Sequence, residues 1–175
     1  FRRVLFRSVT GSMASAQTRG IKKGGSAGTI KHFAVNSQEK RRFQVDSVVS
    51  ERALREIYLK GFEMAVKEGE ASSILTSYNR INGYHAASSY DMTTTILRGE
   101  WGFKGMVMTD WWANMNDPVE KGEGTRQNTA AMIRSQNDVY MVVNNNGGEI
   151  NSMGDNTIEG LEKGWVTVGE LQRSA

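Results

Sequence analysis

Residues 105–116 read GMVMTDWWANMN. Met106, Val107 and Met108 make a short apolar run with the character of a buried strand, and Trp111 and Trp112 follow almost at once. Asp110 stands between the run and the indoles. A carboxylate at the end of an apolar strand, beside aromatic surface, is costly unless it is paired, exposed in a cleft, or used. An apolar strand closing on polar or aromatic groups is therefore the pattern to look for elsewhere.

It recurs. Residues 28–35 (GTIKHFAV), 73–78 (SILTSY) and 138–143 (DVYMVV) are apolar and β-prone like 105–111, and helical segments separate them. Over 51–67, Leu54, Ile57, Tyr58, Phe62 and Val66 recur at helical spacing, with Ser50 as N-cap and Ser47 as the other candidate. Asp91 is expected to cap a short helix through Leu97 and Arg98 that Gly99 ends. A third helix is expected over 126–135, and a fourth over 157–163 stopped by Gly164. Thr167 caps a last one.

Strand and helix alternating four times argue for parallel βαβ units. The loops after the strands, 36–46, 79–90, 112–125 and 144–156, are long and polar. In a parallel barrel such loops build the active site. Four units make half of an eight-stranded barrel, or else a doubly wound sheet. No Gly-x-Gly-x-x-Gly follows a strand, so the expectation is α/β, the C-terminal half of a (β/α)8 TIM barrel.

The 175 residues suffice for one domain with a real core, and 38% hydrophobic with 23% charged residues fits a globular protein. No apolar run approaches the roughly 18 residues of a membrane span. Cysteine is absent, which agrees with a reducing, cytoplasmic setting and removes any thiolate metal site. His32 and His85 are the only histidines, so a multi-histidine metal centre is excluded. The acid-rich loop NMNDPVEKGEG lacks the ligand order of a calcium hand. The first eight residues, FRRVLFRS, match one reading frame of a common sequencing adapter and are left out of the fold reasoning. Without Arg2, Arg3 and Arg7 the formal charge of +3 falls to zero, and the hint of a nucleic-acid partner goes with it.

Candidate chemistry gathers at strand ends. Lys31 and His32 lie near the end of the first run. Adjacent strand residues point to opposite faces, so both line one wall only if the strand bulges or ends there. Arg42, beside Arg41, could grip hydroxyls or carboxylates through a bidentate fork. Tyr78 ends the second run, and Asp110 with Trp111 the third. Taken singly, these residues read as a solvated turn, surface charge and core. Three consecutive strands ending in groups of this kind point to a carbohydrate, whose pyranose has an apolar CH face and a hydroxyl rim.

The stretches KHFAVNSQEKRR, SERALREIYLKGFE, SYNRINGYHAASSYD, LRGEWGFKGMVMTDWWA and NTAAMIRSQNDVYM resemble glycoside hydrolase family 3 of the β-glucosidase type, in a bacterial, Firmicutes-like branch. The resemblance runs from about residue 14 to the C-terminus and rests on several ordered motifs. It implies a (β/α)8 barrel followed by an α/β sandwich, with no cofactor or metal. It also implies a retaining mechanism, with an aspartate nucleophile and a glutamate acid/base. By that resemblance Asp110 is the nucleophile, Lys31, His32 and Arg42 bind sugar hydroxyls, Tyr78 lies near the nucleophile, and Trp111 is the platform beneath the sugar. KHFAVNSQE differs from the KHFPGHG of the N-acetylglucosaminidase branch, which favours a glucosidase or xylosidase. A non-catalytic sugar-binding relative is the alternative of a different class.

None of Glu39, Glu100, Glu120, Glu123 and Glu149 fits the acid/base motif, which the resemblance assigns to the second domain. Residues 9–175 are thus expected to be part of the barrel domain, with half of a site. The segment alone is expected to be inactive and prone to aggregate through open sheet edges and an uncovered apolar face.

Overall fold

The computed structural model describes residues 2–117, 121–141, 151 and 153–175. Three strands, β1 (Thr29–Phe33), β3 (Ser73–Thr76) and β6 (Met106–Met108), form a parallel sheet in the order β1-β3-β6. The run at 138–143 joins beyond β6 through a parallel bridge, Met108 to Val139, and its residues 142–143 lie outside the described ones. All four apolar runs therefore sit side by side, parallel and in sequence order.

β3 is buried along its whole length, as a central parallel strand should be. Its polar members are satisfied: Ser73 Oγ lies 2.6 Å from Thr29 Oγ1, and Thr76 Oγ1 donates to Met108 O at 3.4 Å. Gly105 lets β6 start close to β3, because a Cβ there would lie 2.2 Å from Ser72 O. One apolar core joins Phe33, Ile74 and Val107 of the sheet to Leu54, Leu59, Ile96 and Leu97 of the helical layer. Phe33 packs edge-on against Phe62 and Trp101, at 5.2 and 6.0 Å between centroids.

The expected helix over 51–67 is interrupted. Ser50 caps α2 (Glu51–Ala53) by accepting from Ala53 N, a wider π-turn spans Leu54–Tyr58, and α3 (Lys60–Lys67) follows a bend at Leu59. The helix expected from Asp91 is a π-helical segment, Asp91–Glu100. Asp91 does not cap it: Ser89 Oγ accepts from Met92 N at 3.4 Å, and Tyr90 is the residue before the first turn. Nor does Gly99 end it, since Trp101 N still bonds Ile96 O. The later helices are α4 (Thr129–Arg134), α5 (Thr157–Glu162) and α6 (Val168–Ser174). Thr167 and Glu170 close a capping box on α6, and Gly164, at φ 71°, terminates α5.

Two features went unread. α1 (Arg2–Lys23) packs along α3 and runs unbroken across residue 8. From residue 6 on, its buried positions are Gly11, Ser15 and Thr18, so the face it buries there gives no hydrophobic period. Second, the loops after β1 and β3 are not plain loops. β2 (Asp46–Ser47) pairs in parallel with β4 (Arg80–Ile81), which forms a hairpin with β5 (Tyr84–His85). The hairpin turns on Asn82-Gly83, both at positive φ, the residue pair that tight hairpins favour.

Candidate active site

Asp110 leaves the sheet just beyond β6. Thr109 before it is fully buried and held by the neighbouring run: its N–H donates to Val139 O at 2.9 Å and its Oγ1 accepts from Met141 N at 2.9 Å. That anchorage fixes the strand end, and the next side chain reaches the rim. The Asp110 side chain is 13% exposed. Its Oδ1 accepts the Trp111 N–H at 2.8 Å, and its Oδ2 lies 3.5 Å from His32 Nε2. One oxygen is thus tied to the chain's own backbone. The other faces an imidazole, and the Tyr78 hydroxyl hydrogen-bonds the same carboxylate.

His32 reaches Asp110 across β3. Two residues of β1, Lys31 and His32, stand opposite the single Leu75, because the register slips between Ile30 and Phe33. The Lys31–His32 and Phe33–Ala34 peptides are cis. Lys31 and His32 share the wall of one cleft of about 310 Å³, with Asn36, Glu39 and Tyr58 among its other linings. The bulge condition for both residues to line one wall is met. Lys31 is the more exposed, and His32 is the one that meets Asp110.

Tyr78 follows β3 and is buried at 6% exposure. Burial, and then the adjacent Asp110 carboxylate, push its phenol up to about 12. The hydroxyl therefore keeps its proton at ordinary pH and can donate to an anion. The folded phenol holds its proton more tightly than the unfolded one, so this stabilisation is complete below pH 10 and is lost as pH rises through about 12. Subtracting the phenolate absorbance titration of Tyr78→Phe from that of the parent should isolate this late inflection. A difference curve centred at the ordinary value of 10 would contradict it.

Arg42 does not touch Asp110. Its guanidinium lies 4.7 Å above the Tyr78 ring and 5.5 Å from that of Phe43, and its Nη1 donates to Glu39 at 3.0 Å. A hydrogen bond from Asn36, and then Arg42, hold the Glu39 carboxyl below its usual range. Trp111 is 48% exposed, and its indole meets that of Trp112 edge-on at 5.6 Å. The structure thus gathers Asp110, His32 and Tyr78, sets Arg42 over Tyr78, and leaves Trp111 open at the rim. Glu100 and Glu123 pair with Arg55 and Arg80 away from Asp110, while Glu120 and Glu149 lie outside the described residues.

His85 has no role on sequence grounds beyond being one of two histidines. It is buried between two site loops, with Nδ1 3.2 Å from Tyr78 O and Nε2 2.7 Å from Glu123 O. A neutral ring donates to only one of these carbonyls at a time. Burial lowers its pKa below 6.5, outweighing the two carbonyl contacts, while Arg80 and Glu123 add opposing charge effects. The stability from keeping it neutral is present above pH 6.5 and is lost as pH falls through the depressed folded value. His85→Gln should flatten the acid limb of the stability curve. An unchanged limb would assign acid sensitivity elsewhere.

The family model for the glycosyl hydrolase family 3 N terminal domain matches residues 7–175. The chain belongs to glycosyl hydrolase family 3. Within the family it is 54% identical over 167 residues to a β-glucosidase of Ruminococcus albus, covering 95% of this chain and 17% of that protein. It is 46% identical over 134 residues to an exo-α-(1→6)-L-arabinopyranosidase of Bifidobacterium breve, covering 77% of this chain and 18% of that protein. Among solved structures, a β-glucosidase from Paenibacillus barengoltzii superposes with a TM-score of 0.92 at 71% identity, over 94% of this chain and 18% of its own. β-Glucosidase 3B from Thermotoga neapolitana in complex with glucose superposes at 0.79 with 36% identity, over 94% of this chain and 22% of its own. The chain thus spans about a sixth of the length of the first of these family 3 relatives.

Proposed function

We propose that this segment carries the nucleophile side of a retaining β-glucosidase site. Residues 9–175 would form the C-terminal half of a (β/α)8 barrel, with residues 1–8 foreign to it. The sequential parallel order β1-β3-β6, extended by the bridge at Val139, supports a barrel: a doubly wound sheet would reverse its order at a switch point. The observation that carries the functional reading is Asp110 Oδ2, at the strand's carboxyl end and 3.5 Å from His32, with Oδ1 already engaged by a backbone N–H.

In this reading Oδ2 attacks the anomeric carbon of a terminal β-D-glucosyl unit as the glycosidic C–O bond breaks. The leaving oxygen takes a proton from an acid/base glutamate elsewhere in the whole protein. Water, giving a proton back to that glutamate, then attacks the same carbon and the Asp110 carboxylate departs, so configuration is retained. Tyr78 donates to the carboxylate and orients it. Lys31, His32 and Arg42 hold sugar hydroxyls, and Trp111 offers the apolar face. The Bifidobacterium relative favours a second reading, a pentopyranosidase that keeps the same nucleophile and differs in the sugar accepted.

A chimera, with this segment replacing its counterpart in the Paenibacillus barengoltzii enzyme, supplies the rest of a site. Incubated with 2-deoxy-2-fluoro-β-D-glucosyl fluoride and digested, it should carry the glycosyl mass on the Asp110 peptide. A folded chimera that turns over aryl β-glucosides but is labelled on another residue would remove Asp110 from this role.

A further inference from the structure

Residues 110–113 close a turn in which Ala113 N bonds Asp110 O at 3.3 Å. Trp112 occupies its third position at φ 54°. That left-handed conformation belongs to glycine or asparagine in such turns, and a bulky side chain adopts it only at a cost. Core packing among the described residues does not compensate for it. Neither Trp111 nor Trp112 joins either apolar core among the described residues, and both stay exposed, at 48% and 39%. The aromatic contact of Trp112 is with Trp111, at 5.6 Å and 77°, the edge-to-face arrangement that aromatic quadrupoles prefer.

In an extended strand the two consecutive side chains would diverge to opposite faces. Here the left-handed kink accompanies their meeting, one residue from the backbone N–H that holds Asp110 Oδ1. A strained, exposed aromatic with no core to fill, placed against the indole beside a candidate nucleophile, is the sort of strain that collects at working sites. We propose that Trp112 is a positioning residue: it holds the Trp111 indole upright, making a two-walled aromatic corner beside Asp110 against which the apolar CH face of the pyranose stacks. The inference rests on the glycosidase reading above and names the part of the substrate that the corner grips.

The test uses Trp112→Gly and Trp112→Phe in the chimera. Glycine relieves the left-handed strain, so Trp112→Gly should keep or raise the melting temperature. In the circular-dichroism difference between parent and Trp112→Gly chimeras, the far-ultraviolet exciton couplet of two close indoles should be lost from the variant. In the chimera, KM for an aryl β-glucoside should rise about fivefold with kcat within about twofold, and Trp112→Phe should restore most of it. Unchanged KM despite a lost couplet would overturn the proposal. So would a Trp112→Gly chimera that melts lower and is not rescued by phenylalanine. Failure of fluoroglucoside labelling at Asp110 in the parent chimera would instead overturn the glycosidase reading, and the couplet separates the two.

Discussion

Asp110→Asn in the chimera is expected to lower kcat for aryl β-glucosides by at least about 10⁴-fold, because the first bond of the double displacement has no other nucleophile. The carboxamide keeps the shape of the side chain and can still accept the Trp111 N–H that Oδ1 now accepts. The loss would therefore reflect the missing negative charge and not a collapsed loop. Asp110→Gly goes further by opening the space on the anomeric carbon's free face. Azide should then rescue cleavage of an activated aryl β-glucoside and give the α-glucosyl azide, since only one inversion remains. Product anomeric configuration by proton NMR checks the assignment. A β-configured azide, or undiminished turnover in Asp110→Asn, would place the nucleophile elsewhere.

Much of this was legible because it is written locally. The runs around Ile74 and Val107 are apolar on both faces, which marks central parallel strands, and Asp110 breaks such a run abruptly enough to be noticed. The Ser50 and Thr167 caps were equally local. α1 was not legible, because glycine, serine and threonine fill its buried face and carry no apolar period. The small second sheet could have been suspected from Asn82-Gly83, but strands of two residues have no pattern to read. Of the contacts that place Arg42, Glu39 three residues back and the Tyr78 ring 36 residues on, only the first could be read from sequence. The partners of His85 lie 7 and 38 residues away in sequence, beyond any local signal. Asp138 shows the same limit most sharply, since it reads merely as the polar start of a strand.

Asp138→Ala should be the most destabilising single change away from the site. Its side chain is 9% exposed and fully engaged. Oδ2 accepts from Arg98 Nη2 at 2.6 Å and from Val107 N at 2.8 Å, while Oδ1 accepts from Arg173 Nη1 at 2.6 Å. One carboxylate thus ties the Asp91–Glu100 segment, β6, the fourth run and α6 together. Arg98 is 12% exposed, and its burial already lowers its pKa against the pull of Asp138. Removing Asp138 leaves that guanidinium charged and buried without a counterion among the described residues, held by the carbonyls of Gln136, Phe103 and Gly105 and the Phe103 ring. Breaking such a pair from one side costs about 3–5 kcal/mol, against about 0–1 kcal/mol for an exposed pair. Thermal unfolding of the chimera should shift down by about 10 °C, and amide exchange at Val107 should speed up. Asp138→Asn, which keeps an acceptor for Val107, should lose about half as much. Arg173→Ala, at the more exposed end, should lose least, because solvent replaces its partner. A shift below about 2 °C for Asp138→Ala would show the buried pair to be replaceable by water. The ordering of the three variants matters more than any one value: Asp138→Ala and Asp138→Asn both leave Arg98 without its counterion, Asp138→Ala also strips the Val107 N–H of its acceptor, and Arg173→Ala does neither.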